Sequence, residues 1–146
     1  MLDFSKSSKL LYDLPVYYLT AIPKKHHFNA LNGTFNKENE STKTLSFIPT
    51  AHQFFEHKLF EKDKPDLYAE LYFYDEKGEF STIMFRNSSA KALRKLCEEL
   101  YYENLRLTQI TLNISSTEKI SQNNEKWYLA EFNYERIIFD DSLYPF

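Results

Sequence analysis

Residues 67–86 read Leu67-Tyr68-Ala69-Glu70-Leu71-Tyr72-Phe73-Tyr74, then Asp75-Glu76-Lys77-Gly78-Glu79, then Phe80-Ser81-Thr82-Ile83-Met84-Phe85-Arg86. In the first run Leu67, Ala69, Leu71 and Phe73 alternate onto one face, the period of a strand rather than a helix. The five residues that follow make a short turn, with Gly78 where a positive φ is wanted. The chain then returns as a second strand, with Ile83 and Phe85 on its core side. This stretch predicts an antiparallel hairpin.

Asn87-Ser88-Ser89 supplies side-chain oxygens for the free amides of a helix start. Ala90, Leu93, Leu96, Cys97 and Leu100 then recur at i, i+3, i+4 spacing, while Lys91, Arg94, Lys95, Glu98 and Glu99 take the other side. The pattern predicts one helix over about 89–104, with Cys97 as a small hydrophobe on its apolar stripe. Beyond it Ile110, Leu112 and Ile114 alternate as a strand, a polar loop is expected over 115–125, and Trp127–Tyr134 reads as the last strand.

Upstream the signals weaken. Val16–Ile22 and Lys43–Ile48 look extended, and Pro15, Pro23, Pro49 and Asn32-Gly33 punctuate the region. The stretch Ala51–Phe60 fits either a short helix or a continuing strand.

Composition sets outer limits. The chain has 146 residues, the size of one domain, and 42% hydrophobic residues, enough for a core. Its 13 Phe, 11 Tyr and 1 Trp exceed what one such core needs, so some rings are expected at the surface. Two glycines leave no glycine-rich phosphate loop, and one cysteine leaves no internal disulfide or cysteine zinc site. His26 and His27 are adjacent and His52 and His57 lie five apart, so neither pair has the helical spacing of a metal site. No nucleophile elbow is present, and the reading is of a binding protein without cofactor, not an enzyme.

No apolar run approaches the ~18 residues needed to cross a membrane, and the start lacks the order of a signal peptide. The expected location is the cytoplasm. The net charge of −3 divides unevenly: +3 over residues 1–37, −1 over 38–97 and −5 over 98–146. Either the surface is simply mixed, or a basic face and an acidic tail serve separate partners.

With Lys43–Ile48 as the opening strand, the order is three strands, a helix, then two strands. That is the order of the OB-fold, a five-stranded barrel with a helix between strands 3 and 4. The expected class is therefore α+β, mostly β: one OB-like domain over 1–139 with an N-terminal extension. OB-folds bind oligonucleotides on strands 2 and 3 and the adjoining loops. With Leu67, Ala69, Leu71 and Phe73 inward, Tyr68, Tyr72 and Tyr74 line the opposite face, and Phe80, Met84 and Arg86 share it. Such rings stack on bases without reading sequence. Lys24, Lys25, Lys43, Lys77, Lys119 and Lys126 are the candidate phosphate contacts. The same tyrosines alternatively pack under the N-terminal segment or in an oligomer interface.

The last residues are Asp140-Asp141-Ser142-Leu143-Tyr144-Pro145-Phe146. This stretch resembles the acidic tip of bacterial single-stranded DNA-binding proteins, with Asp140, Asp141, Pro145 and Phe146 matching the pattern. Ser142-Leu143-Tyr144 lengthens the spacer, and the family's Gly-, Pro- and Gln-rich linker is absent. A terminal Phe presents a ring and a carboxylate together, so a pocket with a basic rim suffices to hold it. The resemblance implies coating of single-stranded DNA in replication or recombination, in a phage or mobile element, with the 140–146 tip recruiting partner proteins. It also implies homo-oligomers, for which the N-terminal segment is a candidate interface. The rival expectation is a protein–protein adaptor or inhibitor that touches no nucleic acid, which the acidic balance favours.

Overall fold

A computed structural model describes residues 22–57 and 64–137. Among them the chain runs β1 (Lys24–Asn29), β2 (Thr34–Lys37), β3 (Glu40–Thr42), β4 (Leu45–Phe47), β5 (Pro49–His57), β6 (Asp66–Tyr74), β7 (Phe80–Arg86), α1 (Ser88–Tyr102), a short 3-10 helix (Leu107–Gln109), β8 (Ile110–Ile120) and β9 (Lys126–Arg136). The class is α+β, mostly β, with one α-helix among the described residues.

The strands form two sheets, β3-β2-β1-β7-β6-β5 and β4-β8-β9. Only Ile48 separates β4 from β5, so one nearly continuous segment passes from the small sheet into the large one. It pairs antiparallel with β8 through Leu45–Phe47 and with β6 through Pro49–His57. All neighbours are antiparallel except β1 and β7, which are parallel.

Two expectations are corrected. The described residues hold nine strands rather than five, and their sheets do not close into a barrel. Three of the additional strands lie in 24–42, where Asn32-Gly33 marks the end of a tight β1–β2 connection, and the fourth is β5, which follows the opening strand after Ile48. The 115–125 stretch is also mostly strand: β8 continues to Ile120, and only Ser121–Glu125 turns. Beyond Ile114, β8 pairs with β9 alone, so this two-stranded arm carries polar residues although it is extended. The Ala51–Phe60 alternatives resolve as strand through His57. Val16–Ala21, 58–63 and the 140–146 tip, with Asp140, Asp141, Pro145 and Phe146, lie outside the described residues.

The main core joins the inward residues of both sheets to the helix. Leu71, Phe73, Ile83 and Phe85 meet Ile110, Leu112 and Ile114, and Leu93, Leu96 and Leu100 of α1 pack onto them. Phe47 stacks on Phe73 with centroids 3.7 Å apart, joining the sheets beside the Ile48 bend. The helix starts differently from the expected cap. Asn87 makes no side-chain cap bond; its Oδ1 accepts the Leu67 N–H (3.1 Å) and its Nδ2 donates to Asp66 Oδ1 (3.1 Å), tying the helix entry to β6. Ser89 Oγ accepts the Ala130 N–H at 3.0 Å, tying the same turn to β9. At the other end Asn104 takes a left-handed φ of 57°, and the Leu105 N–H returns to the Leu100 carbonyl (2.9 Å), which ends the helix.

The β1–β2 connection docks on the β8–β9 arm. Tyr128 N–H donates to the Ala30 carbonyl (2.8 Å) and Ser116 Oγ to the Gly33 carbonyl (3.0 Å).

Candidate functional site

Residues in register on neighbouring strands share a face. On the outer face of the large sheet, Tyr74 therefore sits beside Phe80, Tyr72 beside Thr82, Glu70 beside Met84, and Tyr68 beside Arg86. Strand β1 extends these rows, because Lys25 pairs with Thr82 and His27 with Met84. Lys25, His27, Tyr74, Met84 and Arg86 are all exposed on this face, Tyr74 at 58% and Met84 at 46%. Phe80 is half-buried against Tyr74 (5.3 Å) and Tyr72 (6.0 Å, 19° between planes).

Two of the predicted stacking rings are placed differently. Tyr68 and Tyr72 are each only 7% exposed. Tyr68 lies flat on Phe55, with centroids 5.2 Å apart and planes within 14°. Tyr72 Oη donates to Glu70 Oε1 (2.6 Å), which also accepts from Gln53 Nε2 (2.6 Å). Burial, then that carboxylate, pushes the Tyr72 phenol well above its ordinary range. Alternating aromatics mark two faces of a strand, but alternation does not tell an exposed face from a second packed one.

The predicted basic residues fall into four places. Lys25 and Arg86 stand on the outer face, and Arg86 Nε and Nη2 both donate to Asp66 Oδ2 (3.0 and 2.6 Å). Lys24 and Lys77 belong to a network around the β6–β7 turn: Lys24 meets Glu79 (2.8 Å), Lys77 meets Glu40 (2.9 Å), and Lys37 meets Asp75 (2.7 Å) and Glu79 (3.4 Å). The hydrogen bond to Asp75 raises the Lys37 ammonium, and that to Glu79 raises Lys24. Lys119 and Lys126 stand on the β8–β9 arm, with Lys126 against Glu118 (3.2 Å), and Lys43 is exposed between β3 and β4. The outer face thus gathers Lys25, Arg86, Tyr74 and Phe80, and does not gather Lys43, Lys119 or Lys126 with them.

Sequence reading passed over Lys37 and took His26 and His27 only as surface or nucleic-acid contacts without metal spacing, whereas His26 is buried. Their signal was present in the alternation of His26 with Phe28 and of Phe35 with Lys37 on either side of Asn32-Gly33, the pattern of a hairpin with one buried face. A separate cleft of about 490 Å³ lies between α1 and β5, with Cys97, Phe54, Tyr101 and Leu107 among its walls and Arg94 at its border. It contains none of the predicted binding residues. No group of three His, Cys, Asp or Glu suited to a metal ion occurs among the described residues, and no described helix is long and apolar enough to cross a membrane.

Comparison with protein families, with curated proteins and with solved structures returns no match.

Proposed function

We propose that this chain is an OB-like module that binds single-stranded nucleic acid across the outer face of its six-stranded sheet. The observation that carries the reading is the bent β4–β5 segment, paired with β6 on one side and β8 on the other, with β7 beyond β6 and β9 beyond β8. A bent first strand shared between the second and the fourth, with a helix after the third, is OB-like connectivity, and such folds tolerate a partly open barrel. In that scheme β6 and β7 are the ligand-bearing strands. Their outer face offers Tyr74, Phe80 and Met84 as apolar platforms, with Lys25 and Arg86 beside them for phosphates. A role in replication or recombination, with Asp140, Asp141, Pro145 and Phe146 recruiting partner proteins, belongs to the same proposal.

The test is binding of labelled oligo-dT against a duplex of equal length across a salt series. The single strand is expected to bind more tightly, with a shallow salt dependence of about 0.7 per phosphate neutralised. Equal or absent binding of the two at low salt overturns the reading. One observation favours the adaptor alternative: Lys24, Lys77, Lys126 and Arg86 already face carboxylates, which compete with phosphate. Loss of oligo-dT binding together with retained capture of a protein partner would decide for it.

A further inference from the structure

The cleft between α1 and β5, about 490 Å³ in volume, has an unpaired strand edge along one wall. Strand β5 is the outermost strand of the six-stranded sheet and pairs there with β6 alone. Leu67 of β6 turns both of its main-chain groups away from β5: its N–H donates to Asn87 Oδ1 (3.1 Å) and its carbonyl accepts the Asn87 N–H (2.7 Å). Residues directly opposite in an antiparallel pair exchange both main-chain bonds or neither. Glu56, opposite Leu67, and Phe54, two residues earlier, therefore turn their N–H and carbonyl groups to the free edge. No described residue meets those groups. Both residues line the cleft. A row of unpaired main-chain groups beside an apolar groove suits an extended polypeptide.

The opposite wall is apolar, built from Leu100 and Tyr101 of α1 and from Leu105 and Leu107 at the 3-10 helix. The ionic side chains come in both signs, Arg94 and Arg106 with Glu56 and Glu98, so charge does not select the occupant. Position does. Strand β9 ends beside this wall, where the Ile137 N–H donates to the Gln109 carbonyl (3.4 Å), two residues from Leu107. The chain continues as Ile138-Phe139-Asp140-Asp141-Ser142-Leu143-Tyr144, outside the described residues. An extended stretch of that length reaches about 20 Å, enough to pass from the 3-10 helix to β5.

We infer that residues 138–144 of the same chain dock in this cleft, adding a strand to the free edge of β5. Phe139 and Leu143 fall on one side of an extended chain and meet the wall of Leu100 and Leu107. Asp141, between them, comes to the border where Arg94 stands. The cleft holds none of the outer-face residues, so the inference does not rest on nucleic-acid binding and fails or stands apart from it. It qualifies the role proposed for the tip: Asp140 and Asp141 reach a partner only when the segment leaves the cleft, whereas Pro145 and Phe146 lie beyond the docked stretch.

The experiment follows amide hydrogen exchange of the full chain by NMR. The Phe54 and Glu56 amides are expected to exchange about tenfold more slowly, or slower still, than in a variant carrying Phe139→Ala and Leu143→Ala. The amides of the β6–β7 hairpin are expected to be equally protected in both proteins. Cys97, the one cysteine of the chain and part of the cleft wall, gives a second reading. A soluble thiol reagent is expected to modify it about tenfold faster in the variant. Rapid exchange of Phe54 and Glu56 in the unmodified chain overturns the inference, whatever the variants do. Slow exchange that persists in the variant overturns it as well, because another occupant then covers the edge. Slow exchange that is lost on dilution assigns the edge to a second copy and also overturns it. Should the double variant lose its hairpin protection through unfolding, Leu143→Ala alone takes its place in the same comparison.

Discussion

Lys37 Nζ lies 2.7 Å from Asp75 Oδ2, and both side chains are less than a tenth exposed. The pair joins β2 to the β6–β7 turn, and Asp75 does a second job: its Oδ1 accepts the N–H groups of Lys77 (2.9 Å) and Glu79 (2.8 Å) and so shapes the turn. Removing one partner of such a pair strands the other charge, whereas replacing both often costs little. Lys37→Met is therefore expected to lower the urea midpoint. Lys37→Met combined with Asp75→Asn, which keeps a turn-forming acceptor, is expected to recover most of the loss. Equal midpoints for wild type and Lys37→Met would show that the pair adds nothing.

The same cluster sets a pH dependence. Burial opposes the Asp75 charge, but Lys37 and the turn amides outweigh it and hold the carboxyl below its ordinary 3.8. A depressed carboxylate contributes stability that is present above that ordinary value and lost as pH falls through the lower folded one. His26 is also depressed, by burial first, so its share is lost as pH falls below its ordinary 6.5. Lys37 is raised, so its share is kept below its ordinary 10.5 and lost at higher pH, as the folded-state value is passed. Denaturation midpoints are expected to fall in two stages on acidification. His26→Phe should remove the first stage and leave the carboxylate stage in place.

Gly33 and Gly78 both have positive φ, 71° and 78°, but their surroundings differ. A Cβ on Gly33 would come within 2.6 Å of Ser116 Oγ and 2.7 Å of Tyr128 Cδ1, whereas nothing lies within 4 Å of one on Gly78. Gly78→Ala is expected to cost only the left-handed backbone term, about 1–2 kcal/mol. Gly33→Ala adds an overpacking term of about 1–3 kcal/mol, because the turn must lift off the β8–β9 arm. Thermal or urea unfolding of the two variants measures the difference directly, and equal losses would show that the turn is not docked there.

The hairpin of β6 and β7, helix α1 and the strand alternation of Ile110, Leu112 and Ile114 were legible because each has one clean period over enough residues. Strands β2 and β3 were not, since Thr34–Lys37 and Glu40–Thr42 are four and three residues long, too short for a period to register. The Asn87 side chain was misassigned for another reason. Its oxygen is a good cap locally, but the start of β6, twenty residues earlier, captures it, and local pattern cannot foresee that competition. The outer face was half legible: alternation put Tyr68, Tyr72 and Tyr74 together, and only the packing of Phe55 on Tyr68 and of Ala51 with Tyr72 separates the two buried rings from the exposed one.

That separation decides which aromatic substitutions report on binding. Tyr74 is 58% exposed, so Tyr74→Ala is expected to leave the fold intact and weaken oligo-dT by about 1–3 kcal/mol, roughly five- to 150-fold, if one base stacks there. Lys25→Ala is expected to reduce the salt slope by about 0.7, the share of one phosphate, with little effect on unfolding. Tyr68 behaves oppositely. Truncation to Ala removes a buried ring stacked on Phe55 and is expected to cost about 3 kcal/mol or more of stability, with binding lost only through unfolding. Tyr68→Phe keeps the ring and deletes a hydroxyl that is buried without a hydrogen-bond partner. Relief of that unsatisfied group predicts a stability equal to or above wild type. Oligo-dT titrations and urea melts of the four variants separate these outcomes. A Tyr74→Ala variant that binds as wild type, or a Tyr68→Phe variant that melts well below it, contradicts the face assignment on which both expectations depend.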